Sequence, residues 1–404
     1  DFIRIGSELS CAPAYRKHLI ENVLETCSTR REVQQRIEGC SVFVGTVSTL
    51  SSKTDIFRLK TFDVAIIDEA SQILEPQLLG LLCYRTRSGE NAIGKFIMIG
   101  DHKQLPAVVL QSPVHTEVTD EALRAVGFCN LKDSFFERLY RMTVTGCSST
   151  ETLRTYDMLC QQGRMHPAIA AFPNEAFYGG KLESVGLPHQ LSVELPVLCY
   201  TNKDISAQKF SQRVCFIPSV PESFVSSPKV NHTEAEIVAQ LAEAIYKLYF
   251  ETDGTNKSEL SHDLTVALHA ENIHASTVSP TSIASVLGII TPYRSQIALI
   301  RKEIAKLGIA ALNEVLVDTV ERFQGSERDV IIYSFCLNRS YQLRYLCNTT
   351  EEGEVKIDRK LNVALTRARK QLFVTGVPEL LRQDPIYDQL LNHILEMETD
   401  FSKY

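Results

Sequence analysis

The chain has 404 residues, 44% of them hydrophobic, and a formal net charge of -7. That length carries two domains of ordinary size, the apolar share excludes global disorder, and the acidic balance excludes a whole-protein basic field. The 11 cysteines are odd in number and show no CxxC or Cys/His ligand spacing, which excludes a disulfide framework or zinc module and points to a reducing compartment.

No run approaches the roughly 18 apolar residues of a membrane span. The opening "DFIRIGSELS" has no basic stretch followed by an apolar one, so it is not read as a signal peptide. The expected setting is intracellular, cytoplasmic or nuclear, with no membrane partner. A start at Asp1 rather than Met reads as a piece of a longer protein, with fused or bound domains expected outside it.

In chain order, residues 16–26 carry apolar residues near helical spacing, and a small helical insertion is expected near 8–40. The apolar runs "SVFVGT", "VAIIDEA" and "KFIMIGD" follow, then, after a division near residue 155, "LGIITPY", "DVIIYSF" and "QLFVTG". Short runs apolar on both faces, separated by helical stretches, predict parallel strands covered by helices. Residues 184–230 and 251–285, rich in Ser, Thr and Pro, read as long loop insertions. "NHTEAEIVAQLAEAIYKLYF" opens a helix with Thr233 and Glu236 spaced as a capping box, and "YRSQIALIRKEIAKLG" closes one on Gly308.

"VAIIDEAS" places Asp68 and Glu69 at the C-terminal end of a strand, the edge where open α/β sheets bind ligands. One carboxylate can hold magnesium while its neighbour works on an attacking water. A strand-end turn with two solvated acids fits the stretch equally. "FIMIGDHKQLPAVV" offers Gln104 just past a second strand, "CQQGRMHP" offers Arg164, and "LNVALTRARK" offers Arg367 and Arg369. "VERFQGSERD" supplies Gln324, Gly325 and Glu327 around a tight turn. Each stretch alone also reads as a turn or a solvated basic face.

Taken in order, these stretches resemble superfamily 1 helicases of the 5'-to-3' branch, the group of the nonsense-mediated-decay RNA helicase and the replication nuclease-helicase. The matching motifs run from Asp68–Ser71 through Gly100–Pro106, Gln162–Pro167, Thr291–Gln296 and Val317–Asp329 to Leu361–Ala368. The resemblance implies an α/β fold of two RecA-like domains, 1–155 and 156–404, the first incomplete. It implies ATP and Mg2+ as cofactors, and single-stranded DNA or RNA as partner to a monomer. By the same resemblance Asp68 would hold the metal, and Glu69 would act on water. Gln104, Arg164 and Arg367 would meet the γ-phosphate, with Gly325 and Glu327 near the nucleotide. Thr46, Thr291, Pro292, Tyr293 and Thr319 would grip the nucleic-acid backbone.

Departures accompany the match. The family's GxxxxGK(S/T) phosphate loop is expected upstream of Asp1, so these residues alone are expected not to turn over ATP. "GENAIGKF" (89–96) has the glycines and the lysine, but it runs into a strand instead of opening a helix. "FYGGKL" is set aside for similar reasons. Gly163 replaces the Tyr that stacks on adenine in the family, with Tyr156 as a stand-in, and Ala107 replaces a second Pro. The reading is a nucleic-acid-dependent ATPase, a helicase or translocase. The alternative is a non-hydrolysing nucleic-acid-binding or partner-binding module of the same descent.

Overall fold

The computed structural model describes residues 2–111, 113–144, 155–192, 195, 210–223, 227–251, 282–353 and 355–399. The chain forms two compact units, Asp1–His102 with Pro106–Asp157, and Lys103–Leu105 with Met158–Tyr404. Both are mixed α/β with parallel sheets, consistent with RecA-like domains.

In the first unit, β1 (Ile3–Ile5) pairs in parallel with β2 (Phe43–Gly45), and β3 (Phe62–Ile67) in parallel with β4 (Ile93–Met98). Parallel neighbours need a crossover between them. The short helices Pro13–His18, Ile20–Leu24 and Arg30–Gly39 lie between β1 and β2, in the stretch near 8–40 where helix is expected. The helix Arg30–Gly39 starts on a capping box, Thr29 accepting from the Glu32 amide. Gly94 and Lys95 lie inside β4, where extended backbone cannot form the amide nest of a phosphate loop. Gly179 and Gly180 close a helix with positive φ, at the end opposite to an anion-binding N-terminus.

The second unit is built on a five-stranded parallel sheet. β7 (Val214–Pro218), β8 (Leu287–Ile290), β9 (Leu316–Asp318), β10 (Arg328–Ser334) and β13 (Ala368–Gly376) stand in the order β7-β13-β10-β8-β9. The period-two geometry of a strand explains why these runs are apolar throughout. Ile331 and Tyr333 of β10 and Leu372 and Val374 of β13 enter one core, while Val330, Ile332 and Phe373 enter another on the opposite face. Two small sheets complete the unit: β5 (Gln161–Gln162) with β6 (Glu183–Ser184), and the antiparallel β11 (Thr349–Glu352) with β12 (Val355–Asp358).

Two sequence readings change here. The segment 184–230 is not a loop throughout: β7 within it pairs with β13, Leu372 opposite Val214, and four of its five residues are buried. A run bracketed by polar stretches carries too little sequence signal, and its burial comes from the neighbouring strand. The rest of that segment lies partly, and 251–285 mostly, outside the described residues. The helix beginning at His232 is capped by Asn231, whose side chain accepts from the Glu234 amide, and not by Thr233. The helix Arg294–Lys306 is followed by Gly308 at φ +70°, the helix stop that the sequence predicts.

Candidate functional site

In the first unit, the acids sit where β3 stops. The strands stay in register to their ends, with the Ile99 amide donating to the Ile67 carbonyl and the Ala70 amide to the Ile99 carbonyl, both at 2.8 Å. Glu69 takes up a left-handed backbone, φ 51° and ψ 36°. This conformation costs a non-glycine residue on the order of 1–2 kcal/mol, and strain of this kind gathers at functional sites. Its amide donates to Asp68 Oδ1 at 2.9 Å, and its Oε2 accepts from Gln72 Nε2 at 2.6 Å. Both acids remain exposed. Gly100 passes so close that a Cβ there would lie 2.8 Å from the Ser71 amide nitrogen, and the Asp101 amide donates to Ser71 Oγ. Thr46, exposed after β2, caps the next helix through Oγ1 and the Thr49 amide. Tyr156 packs edge-on to Tyr140 at 5.4 Å.

In the second unit, Gln162 pins the turn that follows it, accepting from the amides of Arg164 and Met165. Arg164 Nε then donates to Glu327 Oε2 at 2.8 Å, and its Nη1 reaches the Thr366 carbonyl. Arg369 stands 3.7 Å from the other oxygen of Glu327. Burial alone would raise the Glu327 carboxyl, but Arg164 and Arg369 outweigh it and hold it below its usual range. His189 Nε2 donates to the Arg164 carbonyl at 2.8 Å, and burial pushes its pKa down, keeping it neutral. Gly325 turns the chain at φ +76°, a conformation open to glycine.

Arg367 is 2% exposed. Its nitrogens donate to the Val363 carbonyl (3.0 Å), Thr366 Oγ1 (2.9 Å), the Ser326 carbonyl and Gln104 Oε1 (3.3 Å). Gln104 belongs to the short segment Lys103–Leu105 counted with this unit. Lys103 pairs with Glu352 at 2.7 Å, and Leu105 is buried in the core. The fold therefore brings Gln104, Arg164, Gly325, Glu327 and Arg367 into one connected cluster. At Gly163 a Cβ would lie 3.3 Å from Leu187 and 3.6 Å from Val185, so those side chains occupy the room a larger residue needs.

Among the expected nucleic-acid residues, Pro292, Tyr293 and Thr319 are half-buried. Thr291 differs from expectation: it is fully buried, because its amide is tied to the Asp318 carbonyl on the neighbouring strand. Its hydroxyl has no hydrogen-bond partner among the described residues and lines a small pocket with Pro292, Glu321 and Lys360. Sequence reading missed Asp358, which is fully buried, caps the helix Arg359–Leu365 through the amides of Lys360 and Leu361, and accepts from Tyr387. An Asp immediately before "RKLNVAL" was the available signal.

An AAA domain family model matches residues 131–379, and a second of the same description matches 16–112. The chain is 28% identical to the DNA replication ATP-dependent helicase/nuclease DNA2 of Bos taurus, over 97% of this chain and 32% of that protein. It is 29% identical to the DNA polymerase alpha-associated DNA helicase A of Saccharomyces cerevisiae (80% and 39%). It is 27% identical to the probable helicase MAGATAMA 3 of Arabidopsis thaliana (88% and 35%). The chain thus belongs to the superfamily 1 helicases of the replication-helicase and RNA-decay type, and spans less than half of the length of the curated relatives it matches. A solved Pyrococcus furiosus Hef helicase domain overlaps at a TM-score of 0.27 and 11% identity, covering 93% of this chain and 86% of that one. A likeness that low adds nothing to the fold, which rests on the sheets themselves.

Proposed function

We propose that the chain forms most of the ATP-hydrolysing, strand-gripping body of a helicase or translocase that moves 5'-to-3' on single-stranded nucleic acid. Residues 1–155 would be part of the first RecA-like domain and 156–404 the second. The single observation that carries the reading is the cluster in which Arg367 meets Gln104 and Arg164 meets Glu327 around the Gly325 turn. Two arginines that both bond to Thr366, one of them also to the Gln104 amide oxygen, suit a group whose charge is spread over several oxygens.

Asp68 suits a magnesium ion. It is an exposed carboxylate at a strand's C-terminal end, with only one oxygen taken by the Glu69 amide. A magnesium ion is commonly held by one or two carboxylates together with the substrate's phosphates. Such an ion neutralises charge on the phosphates. Glu69, set apart by its left-handed backbone, would orient and deprotonate water, and Glu327 would hold Arg164 in place until nucleotide arrives.

The testing experiment is ATP hydrolysis by the full-length protein, alone and with single-stranded DNA or RNA. Stimulation by one polymer supports the reading and assigns the substrate. Single-strand binding without turnover on either would replace it with the non-hydrolysing module.

A further inference from the structure

The short helical segment Ser340–Leu346 has two faces with opposite destinations. Gln342, Leu343 and Leu346 are buried, whereas Tyr341 and Tyr345 are 48% and 61% exposed and Arg344 between them is exposed. Residues four apart on a helix lie on one side, so both rings face solvent with a guanidinium beside them. Neither hydroxyl, nor the Arg344 guanidinium, has a hydrogen-bond or ion-pair partner among the described residues. Gln342 is anchored to the Pro228 carbonyl at 2.9 Å and reaches the Tyr293 hydroxyl at 3.5 Å. Lys229 lies 5.9 Å over the Tyr293 ring. Through Gln342 the turn abuts Tyr293, which belongs to the segment expected to grip nucleic acid.

We propose that Tyr341 and Tyr345, with Arg344 between them, form a base-stacking platform for unpaired nucleotides. The inference rests on the single-strand reading above and extends it to a place that no motif of the sequence marks. Rings on a turn whose other face is locked in the core are pre-organised, so little is lost in ordering them. An exposed guanidinium beside two open rings matches the phosphate and the base of a single strand, and stacking tolerates every base.

The test is anisotropy of fluorescein-labelled oligothymidylate and oligouridylate with the full-length protein. Tyr341→Ala with Tyr345→Ala is expected to weaken binding about 5- to 100-fold without changing the salt slope. Tyr341→Phe with Tyr345→Phe should retain binding, because the ring and not the hydroxyl is used. Arg344→Ala should lower the slope of affinity against salt by about one. Wild-type protein that binds neither polymer would defeat the single-strand reading itself. Wild-type binding left equal in the alanine pair would overturn the platform alone, and would leave the tyrosines to a protein partner.

Discussion

A buried guanidinium is costly unless its N–H groups find acceptors, and Arg367 meets that condition with carbonyls, a hydroxyl and the Gln104 amide oxygen. If it also serves a phosphoryl group, Arg367→Ala should lower kcat by about 10³ to 10⁵, read in single-turnover hydrolysis. A loss under about tenfold would put the arginine finger elsewhere. Glu69→Gln should remove about 10² or more of the rate and leave nucleotide binding intact, and retained turnover would sink its role. His166 gives a prediction independent of activity. It caps the helix Pro167–Tyr178 through Nδ1, accepting from the Ala168 amide, and its pKa is pushed down to about 4, by burial first and then by Arg213. The folded state binds fewer protons than the unfolded state between that value and 6.5. Stability is therefore present above 6.5 and drains as pH falls toward 4. Urea unfolding at pH 7 and pH 5 should differ by about 2 kcal/mol more in wild type than in His166→Asn.

At the scale of elements, most strands were legible because a parallel strand between two helix layers must be apolar on both sides. β7 was not, because its place beside β13 depends on a partner some 150 residues away. The helix after Asn231 illustrates a finer limit. Asn and Thr are both good caps, and Asn231 wins because its backbone is further tied by Gln296, which accepts from the Asn231 amide at 2.9 Å and donates to its carbonyl at 3.0 Å. The acid-bearing turn has a comparable tertiary cause. Gly100→Ala should push the Asp68–Ser71 turn aside and cost about 1–3 kcal/mol, measured as a lowered melting temperature. Unchanged stability would mean the two strand ends lie further apart than the 2.8 Å approach requires.

At the scale of the molecule, the two units differ in how much apolar surface they enclose. The second has two extended cores, one on each face of its sheet. The first has smaller buried groups such as Ile3, Ile5, Ile20, Ile37 and Ile56, and leaves Val64, Ile66, Ile97 and Ile99 exposed. Since stability follows buried apolar area, the 404-residue chain should lose amide protection in residues 2–102 before the five-stranded sheet. One cooperative transition with uniform protection would contradict this.

The sequence by itself determined the family, the α/β class and the order of the motifs, because strand periodicity and strand-end chemistry are local and survive without knowledge of neighbours. Only the tertiary structure decided which of those residues meet. Arg367 finds Gln104 across more than two hundred positions of chain, Thr291 is withdrawn into the interior, and the tyrosines of Ser340–Leu346 are left outside. Burial and contact depend on which distant segment fills the space beside a residue, and no window of the sequence contains that information.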